Sequence, residues 1–255
     1  MAEKAANLLR RGAKALLQAA GMVLFPPVCC GCGRRIDQIG TVCPQCWSEI
    51  QFVTGPYCPV MGVPFRFDVG DGFLCGEALR DPPPFDCARA AVLHKGLAQL
   101  MVSRLKYSRR LELAPIMGQW LLRAGRDLLA QCDYIVPLPL HRRRFWQRGY
   151  NQSAELARYL ARATAREFAP HILRRQKYTV PQVGLSAAER VKNMRGVFAV
   201  NKAARPLLKG KIVVLVDDVY TTGATARAAA RILRRAGTAK IFVLTFSRAV
   251  KEEEF

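Results

Sequence analysis

From about residue 88 onward, two apolar patterns take turns along the chain. Unbroken apolar runs, as in DYIVPLPL, KIVVLVDD and AKIFVLTFSR, suit strands buried on both faces of a parallel sheet. Between them apolar residues recur at three- and four-residue spacing, which predicts helices. LAQLMVSRLKY puts Leu97, Leu100, Met101 and Leu105 on one side, and LAPIMGQWLLRAGRDLL reads as one further helix. NQSAELARYLARATA carries a stripe of Ala154, Leu156, Ala157, Leu160 and Ala161. TGATARAAARILRRAG carries a stripe of Thr225, Ala229, Ile232, Leu233 and Ala236, with Arg227, Arg231, Arg234 and Arg235 on a solvated face and Gly237 as the stop. ARAAVLHKG reads as a strand or strand–turn. Strands alternating with helices predict an α/β fold, a central mainly parallel sheet flanked by helices.

The chain ahead of residue 88 has a different texture. Residues 1–25 read as an amphipathic helix, with Ala6, Leu9, Ala13, Leu16 and Leu17 on one face. AKALLQAAGMVLF resembles the core of an export signal, but Pro26 and Pro27 follow and no A-x-A-like site is evident, so a cytoplasmic protein is expected. No apolar run reaches the roughly 20 residues of a membrane span. Residues 26–87 hold most of the cysteines and many Pro and Gly, and RDPPPFD marks the boundary to a domain over 88–250. An acidic tail, 251–255, closes the chain.

A length of 255 residues allows one large or two smaller domains. Forty basic against nineteen acidic residues give a net charge of +21. That excess fits an anionic ligand or partner; a solvated arginine-rich surface would produce it as well. Cys29-x-x-Cys32 and Cys43-x-x-Cys46 form two knuckles able to offer four thiolates to a structural zinc, with no position left open for catalysis. Cys30 reads as a bystander. The next knuckles are incomplete, since Cys58 is followed by Met61 and Cys75 by Ala78, so a second ribbon is read as degenerate and its two cysteines as neighbours in a remnant. Cys87 and Cys132 read as buried apolar residues.

Acid is scarce in this chain, yet the run Ile212–Val216 ends in Asp217 and Asp218. Ligands in open parallel sheets bind at the carboxyl ends of strands. Two carboxylates there need a cation or hydroxyl donors. VYTTGAT then supplies hydroxyls and a glycine ahead of a helix amino terminus, a site for phosphate. Together they describe a ligand with a sugar diol at one end and a phosphate at the other. VPLPLHRRRFWQRGYNQS sets Arg142, Arg143, Arg144 and Arg148 after another strand, where they can neutralise a pyrophosphate. Its mixture of basic and aromatic residues also resembles single-stranded nucleic-acid surfaces. His141 lies in the same loop, and Asn151 or Ser153 suits the cap of the next helix. The stretch Arg174–Phe198, with Gln176, Lys177, Gln182, Ser186, Arg190, Asn193 and Arg195, is long and polar enough for a lid.

VVLVDDVYTTGAT closely resembles the PRPP-binding signature of type I phosphoribosyltransferases. The resemblance implies that Asp217 and Asp218 hold the ribose hydroxyls. It also implies that Thr221, Thr222, Gly223, Ala224 and Thr225 hold the 5′-phosphate. A loop closing over substrate before this strand is a further feature of that fold. With VPLPLHRRRFWQRGYNQS, PQVGLSAAERVKNMRGVF and the cysteine knuckles, the chain from about Leu24 to Arg248 resembles the ComF family, phosphoribosyltransferase-like proteins with an amino-terminal zinc ribbon. That resemblance implies a type I phosphoribosyltransferase fold and Mg²⁺ bound with PRPP. It adds Leu138, Pro139, Arg142 and Asn151 to the ligand contacts and Arg148 to the catalytic set. It implies phosphoribosyl transfer to a nitrogen acceptor. The alternative is a non-catalytic module engaging single-stranded DNA or DNA-uptake proteins in competence.

Overall fold

A computed structural model describes residues 26–70, 72–177 and 196–250. The expected helix over 1–25, the acidic tail and most of the expected lid (178–195) lie outside the described residues. The chain divides into two compact units, Met1–Glu49 and Ile50–Phe255. Composition grouped residues 26–87 together; by packing, the chain from Ile50 onward goes with the later unit. Cys58, Met61, Val63, Ala78 and Phe85 share one apolar core with Val213, Leu215 and Val243.

In the first unit the short helix α1 spans Pro44–Ser48. The second unit opens with α2 (Gly76–Arg80) and β1 (Cys87–Leu93). Three helices follow, α3 (Gly96–Tyr107), α4 (Leu113–Ala124) and α5 (Arg126–Gln131). Next come β2 (Tyr134–Pro137), α6 (Arg142–Arg148), α7 (Gln152–Thr164) and β3 (Glu167–Phe168). A two-stranded antiparallel sheet pairs β4 (Leu173–Arg175) with β5 (Phe198–Val200). The unit ends with β6 (Ile212–Tyr220), α8 (Ala224–Arg235) and β7 (Lys240–Arg248).

The main sheet is wholly parallel, in the order β1-β7-β6-β2-β3. This order locates the site. The chain leaves β2 toward one edge of the sheet and leaves β6 toward the other. Because parallel crossovers are right-handed, α7 and α8 must lie on opposite faces. Helices α4 and α7 pack on each other and on β1, β7, β2 and β6, while α8 packs on β7 and β5. The carboxyl ends of β2 and β6 therefore flank a topological switch point, where such sheets hold their ligands.

Two sequence expectations change. LAPIMGQWLLRAGRDLL is two helices, because Gly125 ends α4 and begins α5, and a side chain there would collide with Leu244. The β6 strand continues past its acids to Tyr220, because β7 runs alongside and pairs Asp217 with Thr245 and Tyr220 with Arg248.

Candidate functional site

Successive side chains of a strand diverge, and the two acids of β6 find different neighbours. Asp218 is 3% exposed, and its Oδ2 lies 3.0 Å from Lys106 Nζ at the end of α3. The Asp217 Oδ1 accepts from the Ser153 hydroxyl (2.8 Å) and from the Asp218 N–H (2.9 Å). Burial, with the charge of Asp218 beside it, pushes the Asp217 carboxyl up to about 7, against the opposing pull of Lys106 and Ser153. Behind the pair, the Ser247 hydroxyl donates to the Asp218 carbonyl (3.4 Å), and His94 Nδ1 stands 2.8 Å from that hydroxyl. Burial and the Lys106 charge push His94 toward its neutral form.

The loop from β6 to α8 is shaped by one backbone feature. Gly223 has φ +68, the left-handed region, and a Cβ there would collide with the Tyr220 hydroxyl. This glycine occupies the amino-terminal cap of α8 without a capping side chain, so the first amides of the helix are left for a ligand. Asp217, Tyr220, Thr221, Gly223, Ala224, Thr225 and Thr245 line a small cleft in front of them. Beside it, Thr222 Oγ1 is buried with no hydrogen-bond partner among the described residues. A buried hydroxyl without a partner is costly, and a phosphate oxygen in the cleft relieves that cost. The residues present fit a phosphorylated sugar.

After β2, the Asn151 side chain donates to the Leu138 carbonyl (3.0 Å) and accepts from Ser153 N–H (3.1 Å), fixing the Leu138–Pro139 turn and capping α7. His141 caps α6 through its Nδ1, which accepts from Arg143 N–H (3.2 Å). On that short helix Arg142 and Arg143 are exposed. Arg148 donates to buried Gln152 (2.9 Å), and its guanidinium lies 5.1 Å from the Tyr107 ring centre.

Sequence reasoning missed three contributors. In the sequence Lys106 reads as part of a helix and Ser153 as a candidate cap, and Arg175 carries no signal of its own. Burial lowers the Arg175 guanidinium to about 10, with Arg144 adding to the effect and Asp217 opposing it, so all three share one electrostatic neighbourhood. Arg227 was assigned to a solvated face, but it is buried. It bonds Glu77 Oε1 (3.1 Å) and the Asp81 carbonyl (3.0 Å), tying the first turn of α8 to α2. An arginine one turn into α8 offers no sequence signal for this, because its acids lie about 150 residues earlier.

In the first unit the sulfurs of Cys29, Cys32, Cys43 and Cys46 all lie within 4.8 Å of one another. The Cys43 N–H (3.1 Å) and the Gly31 N–H (3.4 Å) donate to Cys29 Sγ. Burial alone would raise the Cys29 thiol, yet these bonds and one from Cys32 hold it down at about 6. Burial and the three neighbouring thiols push Cys46 strongly up. Four clustered thiols with amides aimed at sulfur are the donor set of a structural zinc. Cys30 turns aside, buried, with its N–H on the Thr41 carbonyl (3.0 Å).

Two family models match, a double zinc ribbon domain over residues 21–79 and a phosphoribosyl transferase domain over residues 154–254. Sheet order, the matched domain and the ribbon thus define an α/β protein of phosphoribosyltransferase fold that carries an amino-terminal zinc ribbon. Among curated relatives, the DNA utilization protein YhgH of Salmonella typhi is 32% identical over 228 residues, 88% of this chain and 91% of its own. The YhgH of Escherichia coli K12 is 31% identical over the same shares. Competence protein F of Haemophilus influenzae is 30% identical over 229 residues, 87% of this chain and 90% of its own. The chain belongs to this ComF family of competence and DNA utilization proteins.

Proposed function

We propose that the second unit binds PRPP with Mg²⁺ and transfers its phosphoribosyl group to a nitrogen acceptor. The observation that carries this reading is the juxtaposition of paired acids at the end of β6 with a loop whose buried Thr222 hydroxyl has no partner among the described residues. Asp217 and Asp218 would hold the ribose hydroxyls, and Thr221, Thr222, Gly223, Ala224 and Thr225 the 5′-phosphate. Leu138, Pro139, Arg142 and Asn151 would shape and charge the pyrophosphate side. Asp217 and Asp218 are also the residues that would hold Mg²⁺, which would supply charge neutralisation for the leaving group. Arg148 and Arg175 would add fixed positive charge there, and Lys106, 3.0 Å from the Asp218 Oδ2, would hold that side chain in place.

Calorimetry with Mg-PRPP tests binding, and release of pyrophosphate with ammonium or free nucleobases tests transfer. Binding by wild type, lost in Asp217→Ala and Asp218→Ala, is the expected result. Absence of heat at millimolar PRPP overturns the reading.

A second reading has its own observation. Tyr107 and Trp146 are 73% and 82% exposed, Phe145 is half-exposed, and Arg142 and Arg143 stand exposed beside them. Exposed aromatics among arginines make a stacking platform for single-stranded DNA, which agrees with the names of the relatives. In this reading the module acts without turnover. Oligonucleotide binding that weakens steeply with salt, falls in Trp146→Ala and persists in Asp217→Ala supports it.

A further inference from the structure

The remnant of the second ribbon retains chemistry of its own. Met61 is fully buried and Ala78 nearly so, in positions where a complete ribbon would place cysteines. Neither offers a thiolate, and two thiolates do not complete a tetrahedral zinc site. Cys58 and Cys75 are left facing each other: Cys75 N–H donates to Cys58 Sγ (3.4 Å), as does Met61 N–H (3.4 Å). Cys58 is wholly buried, while Cys75 is partly exposed. Burial tends to raise the Cys58 thiol, but the Cys75 and Met61 amides and the Cys75 thiol bring it below its ordinary value. Burial, Cys58 and Glu77 push Cys75 up. The arrangement is that of an accessible thiol with a more acidic resolving thiol behind it.

Each cysteine also sits on a segment that holds a basic residue flanking the phosphate loop. One turn from Cys58, the Met61 carbonyl accepts from the buried Arg248 guanidinium, which lies 4.8 Å from the Tyr220 ring centre. Cys75 is the amino-terminal cap of α2, whose Glu77 and following Asp81 hold Arg227 of α8. Tyr220 and Arg227 bracket Thr221–Ala226.

We propose that Cys58 and Cys75 form a reversible disulfide by exchange with a low-molecular-weight disulfide, and that this bridge resets the Thr221–Ala226 loop. Its effect on ligand binding rests on the phosphoribosyl reading; its effect on the loop does not. The Cys75 thiolate attacks one sulfur of the reagent, forming a mixed disulfide and expelling one thiolate. The Cys58 thiolate then attacks the Cys75 sulfur and expels the second. Two protein thiols are oxidised, one reagent disulfide is reduced to two thiols, and the two protons pass to those thiols. Joining the segments moves the start of α2, and with it Glu77 and Asp81, relative to Met61.

The zinc-loaded full chain would be equilibrated in glutathione buffers from fully reduced to fully oxidised, alkylated and mapped by mass spectrometry. Amide hydrogen exchange would be followed over residues 220–228. The expected result is a Cys58–Cys75 linked peptide with zinc content unchanged, and an exchange rate at Thr221–Ala226 altered by about threefold or more. Reductant reverses the change in wild type, and neither Cys75→Ser nor Cys75→Ala shows it. No linkage in oxidised glutathione, or linkage with unchanged exchange, overturns the proposal. Mg-PRPP calorimetry on both forms separates the two ideas. A redox-dependent loop that binds no PRPP in either form sinks the phosphoribosyl reading and leaves the disulfide standing.

Discussion

At the scale of single residues, Asp217 governs how the site responds to pH. The unfolded chain releases this proton near 3.8, and the folded, ligand-free protein holds it to about 7. Between those values the folded state binds more protons, so this group's contribution to stability falls as pH rises and stays low above 7. Asp217→Asn keeps an oxygen for the Ser153 hydroxyl and removes the charge. Scanning calorimetry should show Tm about 3–6 °C above wild type at pH 8 and near it at pH 4. Ionisation also makes the pair a better cation ligand, so Mg-PRPP binding should tighten from pH 6 to pH 8. The same scale explains why Lys106 and Ser153 escaped sequence reading. A lysine at a helix end and a serine in a cap are ordinary in sequence, and their meaning lies in carboxylates 112 and 64 residues away.

At the scale of elements, the loop between β6 and α8 depends on Gly223. Gly223→Ala introduces a Cβ against the Tyr220 hydroxyl at positive φ. Denaturant unfolding should show a loss of about 1–2 kcal/mol, and phosphate-containing ligands should bind at least tenfold more weakly. The strands were the legible part of this fold, because KIVVLVDD and AKIFVLTFSR are apolar enough to be strands only if covered on both faces. Their continuation to Tyr220 was not legible, since polar residues stay in register only when a partner strand runs beside them, as Ser247 does for Val219. Arg227 misled for a related reason. An arginine on an amphipathic helix reads as solvated until an acidic partner from another segment covers it.

At the scale of the molecule, the two units rely on different sources of order. The first gathers four thiols in a segment with few buried apolar side chains, whereas the second is organised around a five-stranded sheet. A chelator strong enough to strip zinc should make Cys29, Cys32, Cys43 and Cys46 reactive to a thiol reagent. The near-ultraviolet signal of Trp120, which stacks on Phe246 within the sheet unit, should remain. Loss of the Trp120 signal together with the gain in thiol reactivity would show that the units unfold as one. The net charge of +21 belongs to this scale as well: an excess of that size favours polyanions near the surface generally.

The sheet order also has a consequence for how the chain is made. On one side β1 meets Gln51–Val53, and on the other it pairs with β7, the last strand to be synthesised among the described residues. A growing chain must keep the apolar Ala90–Leu93 edge from sticking to other chains until Arg248 has emerged from the ribosome. The cleft's β6 wall likewise lacks its neighbour on one side until then. Any ligand that needs that wall meets a usable site only after β7 has emerged, so a product stalled or cut short before that strand should be a client of chaperones and not a partly active protein.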